Sequence, residues 1–239
     1  MAVIELITLS HTGHHREHNE DAVWADAEQG LMVLADGMGG YHAGEVASGL
    51  LIERFEKHPE QGFDANAQSV QETLRERAKT GELEPMTGTT LVALKLTRRG
   101  YILGWAGDSR CYRLSSKGEL KRLTRDHTFV QDMIERGTLT EAEAENSERK
   151  HLLTNAITGS DQDVRVDIQK AMCMESAIFL LCSDGLSGEL SDQEMQTILN
   201  ESREDLHQAS QQLMDAALKK GGRDNISLIL AQKKPLWSF

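Results

Sequence analysis

The sequence has little cysteine, a deficit of positive charge and no long hydrophobic run. Its three cysteines, Cys111, Cys173 and Cys182, form no pair at metal-ligand spacing and leave an odd number, which argues against a disulfide framework. No segment approaches the ~20 apolar residues that a membrane-spanning helix needs. The N-terminus also lacks a basic leader with a small-residue cleavage site. We therefore expect a cytoplasmic protein in a reducing compartment, with no membrane segment.

Basic residues are outnumbered, with 26 Lys and Arg against 38 Asp and Glu and a net charge of -12. This balance argues against nucleic-acid binding, which requires clustered Lys and Arg to neutralise phosphates. Most of the acidity is accounted for by solubility, and bound divalent cations would cancel another part. The 239 residues permit one large domain or two small ones. Because no repeat or low-complexity linker interrupts the chain, we predict a single domain over 1–239.

Apolar periodicity predicts a mixture of strands and helices. We predict strands at 3–9, 31–35, 89–97, 101–106, 110–114, 120–123, 164–168, 177–182 and 226–231. Short turns between neighbouring strands favour antiparallel pairing, because parallel strands need a long crossover. We predict helices after Gly40 with an apolar stripe of Val46, Leu50, Ile52 and Phe55, then at 65–79, 126–137, from Thr140, 192–199 and 203–220. These elements predict an α+β protein with packed antiparallel sheets flanked by helices.

Four aspartates recur in tight turns that lie far apart in the chain. They are Asp36 (in Asp-Gly-Met-Gly-Gly), Asp108 (in Gly-Asp-Ser-Arg), Asp184 (in Ser-Asp-Gly) and Asp224 (in Arg-Asp-Asn). Each turn by itself is typical of a local Asp turn or a helix cap. As a set, together with Glu20 and Asp21, they predict a pocket of carboxylates. Such a pocket favours a hard divalent cation such as Mg²⁺ or Mn²⁺.

Arg16 precedes Glu20 by four residues, and this spacing has two interpretations. From the spacing alone, a surface ion pair with Glu20 is favoured. The planar guanidinium also suits bidentate contact with phosphate oxygens. Beside a metal cluster this second interpretation gains weight, because an anionic substrate must be oriented as well as bound.

The motifs together resemble those of the metal-dependent protein serine/threonine phosphatases of the type 2C family. Six motifs appear in the family's order and span nearly the whole chain: Arg16 to Asp21, Asp36 to Gly40, Gly88 to Thr90, Gly107 to Arg110, Ser183 to Gly185 and Arg223 to Asn225. The resemblance implies an α-β-β-α sandwich of two antiparallel sheets. It also implies a small flap subdomain at about 126–160 that influences substrate choice.

The resemblance implies a role for each matching residue. Asp36 is expected to bridge two catalytic Mn²⁺ or Mg²⁺ ions, and the Gly37 carbonyl to be a further ligand. Asp184 and Asp224 are expected to complete one shell, with Glu20 and Asp21 near the other ion. Asp108 and Asp184 would hold a third ion, and Arg16 would bind the substrate phosphate. Met38 departs from relatives that carry His there, so the general acid is left open between a metal-bound water and His42. For His42 itself, the favoured interpretation is an exposed residue at the start of a helix.

The implied activity is hydrolysis of phosphoserine and phosphothreonine in proteins by a hydroxide shared between two metal ions. The expected partners are phosphoprotein substrates and a cognate bacterial serine/threonine kinase in signal transduction, and the expected state is a monomer. A silent phosphoprotein-binding module is one alternative, although it would have no reason to keep all the acidic groups. A hydrolase of small phosphate esters is another, and the sequence does not exclude it.

Overall fold

Two antiparallel β-sheets form the centre of the computed structural model, which describes residues 4–39 and 43–233. In the described residues the first sheet has five strands, in the order β1 (Ile4–His11), β12 (Ile226–Lys233), β11 (Ala177–Cys182), β7 (Arg110–Leu114) and β8 (Leu120–Arg122). The second runs β10 (Asp167–Met172), β6 (Gly100–Ala106), β5 (Leu91–Leu96), β3 (Leu31–Met38), β4 (Gly88–Thr89) and β9 (Ile157–Thr158), and β2 (Asp21–Asp26) pairs with β3.

Helices cover the outer face of each sheet. On the second sheet lie α1 (Ala43–Lys57) and α2 (Phe63–Lys79), and on the first lie α5 (Asp184–Ser187), α6 (Asp192–Glu201) and α7 (Leu206–Lys220). Two short helices, α3 (Phe129–Glu135) and α4 (Glu141–Glu145), lie in the segment predicted as a flap. Among the residues that the structure describes, we find no helix with the length and apolar character needed to span a lipid bilayer.

The core has three layers of buried side chains, one between the sheets and one under each helical layer. The central strands are covered on both faces, which explains why their sequences are continuous apolar runs rather than alternating ones. All six residues of β11 are buried, and so are the first five of β3. The predicted α-β-β-α sandwich is confirmed.

Several predicted elements differ in detail. β3 continues through Asp36 and Gly37 to Met38, because Gly37 and Met38 pair with the short strand β4. The predicted stripe of α1 is partly wrong, since Val46 is exposed and the buried side chains include Ala47, Leu51 and Phe55. The strand predicted at 164–168 begins instead at Asp167 and pairs with β6.

The turn that contains Asp108 is not a hairpin. It joins β6 in the second sheet to β7 in the first, so the chain crosses between the sheets at this point. This crossing places Asp108 at the sheet ends from which the other motif residues also project.

Candidate active site

A cavity of about 800 Å³ opens where strands of both sheets end. Seven of the eight residues predicted for the site line it: Arg16, Glu20, Asp36, Gly37, Asp108, Asp184 and Asp224. They come from positions up to 208 residues apart, as the contact between Arg16 and Asp224 shows. The fold thus brings the dispersed motifs together in one cavity.

Asp21, the eighth residue, is not among the residues that line this cavity. It sits opposite Asp36 in the pairing of β2 with β3. One of its carboxylate oxygens accepts a 2.8 Å hydrogen bond from the Ser183 hydroxyl. The other oxygen, Oδ1, is buried and has no hydrogen-bond partner among residues 4–39 and 43–233. A buried carboxylate oxygen without a donor is costly unless a cation or an ordered water satisfies it.

Burial and repulsion between carboxylates raise the pKa values of Asp21, Asp36 and Asp108. Burial, followed by repulsion from Asp21 and Asp184, raises the pKa of Asp36 well above its ordinary value. Burial raises the pKa of Asp108 to about 8, and Asp184 adds to the shift. The pKa of Asp21 rises to about 7, mainly through burial, although hydrogen bonds with Ser227 and Ser183 oppose the shift.

The carboxylate to which Arg16 donates its hydrogen bond is that of Asp224, whereas the spacing in the sequence favoured Glu20. Its Nη2 donates to Oδ2 of Asp224 at 2.7 Å, and the Arg16 side chain remains 53% exposed at the cavity mouth. Glu20 is close enough to raise the pKa of Arg16 further through its charge. The guanidinium is therefore both accessible to a ligand and oriented by a cavity aspartate.

His151 is a site residue that the sequence did not reveal. Its Nδ1 lies 3.3 Å from Oδ2 of Asp184, and this contact raises the pKa of His151. Among the described residues, Asp108, His151 and Asp184 form a group whose ligand atoms lie within 4.8 Å of one another. His151 comes from the flap segment and belongs to no recognisable motif, so only the fold brings it to the aspartates.

Hydroxyl and amide groups hold the motif turns in place. The backbone N–H of Asp36 donates to Thr90 Oγ1 at 3.0 Å, and that hydroxyl lies 2.7 Å from Ser109 Oγ in the Asp108 turn. Asn225 donates from Nδ2 to the carbonyls of Thr12 and His18, each at 2.8 Å. Its Oδ1 also accepts from the Glu20 N–H at 2.9 Å, which fixes the N-terminal motif against the Asp224 turn.

The donor set fits divalent cations. Carboxylate oxygens, several of them buried beside one another, favour hard ions such as Mg²⁺ and Mn²⁺. The orphaned Asp21 Oδ1 and the raised pKa values of the Asp36 and Asp108 carboxyls fit a site whose buried carboxylates bound cations would satisfy. His42, one candidate for the general acid, lies outside the described residues.

Comparison with known proteins identifies the family. A family model described as protein phosphatase 2C matches residues 10–221. The chain belongs to the protein phosphatase 2C family. The motif resemblance found in the sequence is thereby confirmed.

Relatives include bacterial phosphatases. The serine/threonine protein phosphatase PstP of Mycobacterium tuberculosis is 36% identical over 238 residues, covering 96% of this chain and 45% of that protein. The chain thus spans less than half of the length of this relative. The serine/threonine phosphatase stp of Listeria monocytogenes is 31% identical, with 92% of each chain covered.

Solved structures confirm the architecture. A crystal structure of M. tuberculosis PstP superposes with a TM-score of 0.89 at 32% identity, covering 98% of this chain and 100% of that chain. A structure of the PstP catalytic domain in complex with two manganese ions gives a TM-score of 0.87 at 32% identity, with the same coverage.

Proposed function

We propose that the chain is a metal-dependent protein serine/threonine phosphatase that hydrolyses phosphoserine and phosphothreonine in proteins. The observation that carries the proposal is the convergence of the acidic motif residues with Arg16 in one cavity. The names of the bacterial relatives and the manganese-bound PstP structure support the same activity.

The metal-binding residues are proposed from the cavity lining and the family motifs. Asp36, the Gly37 carbonyl, Asp184 and Asp224 would hold Mn²⁺ or Mg²⁺ at the catalytic position, with Glu20 and Asp21 beside them. Asp108 and Asp184, with His151, would hold a third ion. Divalent ions at these positions would supply Lewis acidity to the phosphoryl oxygens and to an attacking water.

Arg16 is proposed to bind the substrate phosphate. Its exposed fork can make two parallel hydrogen bonds to phosphoryl oxygens, while Asp224 holds it at the cavity mouth. This contact orients the phosphorus towards the aspartates and offsets the negative charge that develops on the phosphoryl oxygens. Met38 lines the cavity but has no proton to give to the leaving oxygen.

The cysteines do not provide a nucleophile. All three lie in the described part of the chain, and all three are buried. Burial raises the pKa of Cys182 to about 12, so this thiol stays protonated although it ends the strand before Asp184. A thiol rather than a thiolate is a poor nucleophile. Hydrolysis by water is therefore the route that the cavity favours.

The wider setting is proposed on the same basis. We propose one catalytic domain over 1–239 with a flap at about 126–160, acting as a monomer on phosphoproteins and opposing a serine/threonine kinase. Free, buried cysteines fit a reducing, cytoplasmic compartment.

A phosphate-release assay tests the proposal. With Mn²⁺ present, the chain should release phosphate from a phosphothreonine peptide, and Asp36→Asn or Asp184→Asn should lower kcat by at least about 100-fold, the upper end of what losing a supporting residue costs. Asp215→Asn, an exposed aspartate of α7, is the matched control and should retain activity.

Three results would contradict the proposal in different ways. An inactive wild-type chain in Mn²⁺ would favour a binding module. Hydrolysis of a small aryl phosphate without hydrolysis of the peptide would indicate a small-ester hydrolase. Full activity in both cavity variants would show that the chemistry lies elsewhere.

A further inference from the structure

The turn that contains Asp108 is hydrogen-bonded to His127, which is not among the residues that line the cavity. The backbone N–H of Gly107 donates to Nδ1 of His127 at 3.1 Å, and the backbone N–H of His127 donates to the Gly107 carbonyl at 3.0 Å. The residue before His127, Asp126, accepts hydrogen bonds from Arg110 at 2.7 and 3.1 Å. The turn is thus hydrogen-bonded on both sides of Asp108, at Gly107 by His127 and at Arg110 by Asp126.

The contacts of the His127 ring determine its tautomer. Asn155 points its Nδ2 at the same Nδ1 of His127 at 3.0 Å, and the orientation of this amide is fixed because its Oδ1 accepts from the Arg165 N–H. Two donors facing Nδ1 require a lone pair there. The ring proton therefore lies on Nε2, which is 3.3 Å from Oδ2 of Asp167.

The same residue also fixes the end of the flap. The N–H of Thr154 donates to the His127 carbonyl at 2.9 Å, and both Thr154 and Asn155 line the cavity. The ring is 1% exposed and stacks on Trp105, with 12° between the ring planes. A single buried side chain therefore connects the Asp108 turn with the flap segment that follows His151.

We propose that His127 is a positioning residue that sets the Asp108 turn and the flap segment 154–155 in one fixed arrangement, through a neutral ring whose Nδ1 accepts from both. The metal-binding consequence rests on the proposed function. If these hydrogen bonds are lost, Asp108 moves relative to Asp184 and His151. The ligand atoms of the three residues then no longer lie close enough together to bind one metal ion.

Two amide substitutions separate this role from simple packing. In His127→Asn the side-chain oxygen falls near the position of Nδ1 and can still accept from Gly107, whereas in His127→Gln the amide falls near Nε2 and Nδ1 has no replacement. Both variants keep a polar, planar group in the buried site, and Asn is the smaller of the two. Exposed His207→Gln on α7 is the matched control.

Mn²⁺ titration of the purified chain by calorimetry and by electron paramagnetic resonance is the measurement. For His127→Gln we expect one Mn²⁺ site, the one that Asp108, His151 and Asp184 would form, to lose about 10- to 100-fold in affinity, the usual effect of removing a group that orients a metal ligand. His127→Asn and His207→Gln should bind Mn²⁺ as the wild type does. The thermal midpoint of each metal-free variant is recorded beside the titration.

Two outcomes would overturn the proposal. One is that His127→Gln binds Mn²⁺ with wild-type affinity at every site. The other is that the Asn and Gln variants lose affinity and thermal stability to the same extent, which would indicate packing alone. A wild-type chain that binds Mn²⁺ but releases no phosphate would refute the proposed function and leave these binding comparisons interpretable.

Discussion

At the scale of single residues, the site is a set of carboxylates. The fold holds these mutually repelling groups closer together than they would lie if they were free in water. The sequence motifs predicted all eight residues, because each stands in a stretch that matches a family motif. Seven line the cavity, and Asp21 is paired with one of them, Asp36, across β2 and β3. The partner of Arg16 could not be predicted, because helical spacing favoured Glu20 while Asp224 is 208 residues away. His151 was missed because its neighbours form no motif.

Removing one buried carboxylate should stabilise the metal-free protein. The pKa of Asp108 is raised to about 8 in the folded state, so folding binds a proton at pH values where the unfolded chain has released it. Stability therefore falls as pH rises from the unfolded pKa through about 8. Asp108→Asn removes this loss of stability. The thermal unfolding midpoint, measured in chelator at pH 8.5, should therefore rise by at least about 2 °C, which corresponds to roughly 1 kcal/mol of unfolding free energy.

Calorimetry at two pH values provides the control for this prediction. At pH 5 the difference between Asp108→Asn and the wild type should shrink, because the native carboxyl is protonated there. Wild-type stability in chelator should decline between pH 5 and pH 8 more steeply than that of the variant. A variant that is less stable than the wild type at pH 8.5 would contradict the electrostatic account.

At the scale of elements, the sequence predicts which segments are regular better than it predicts their neighbours. β11 was predicted with its observed limits, since a buried strand is a continuous apolar run. Short turns between neighbouring strands favour antiparallel pairing, yet the short turn at Asp108 crosses between the sheets, because a short polar turn has the same residues in both cases. The strand predicted at 89–97 is divided into β4 and β5, and the two-residue strand β9 depends on tertiary pairing with β4 and has no local signal.

Gly37 gives a test at this scale. A Cβ at Gly37 would lie 2.3 Å from the Gly44 carbonyl oxygen and 2.5 Å from that of Glu20, so α1 can approach β3 only because Gly37 has no side chain. We expect Gly37→Ala to lower the free energy of unfolding by about 1–3 kcal/mol, as overpacking does, and to reduce activity. Urea denaturation measures the first effect.

Gly49→Ala in α1 is the matched control. A Cβ at Gly49 meets nothing within 4 Å, so this substitution should stabilise α1 by about 0.5–1 kcal/mol through helix propensity. If Gly37→Ala were as stable and as active as Gly49→Ala, the close approach of α1 to β3 would not matter for the site.

At the scale of the whole molecule, the site exists because two sheets stack with their strand ends together. Asp36 comes from the second sheet, whereas Asp184 and Asp224 adjoin β11 and β12 of the first. The family motifs made the sandwich predictable, and apolar runs agreed with it. The meeting of the acidic groups in one cavity required the three-dimensional structure, because no local pattern reports which sheet a strand joins.

Anomalous diffraction from Mn²⁺-soaked crystals of the chain tests the central claim most directly. The account predicts anomalous peaks from manganese in the cavity, among the carboxylates of Asp36, Asp184 and Asp224. In Asp36→Asn the peak next to residue 36 should be lost. Manganese found only at surface sites, with the cavity free of anomalous density, would contradict it.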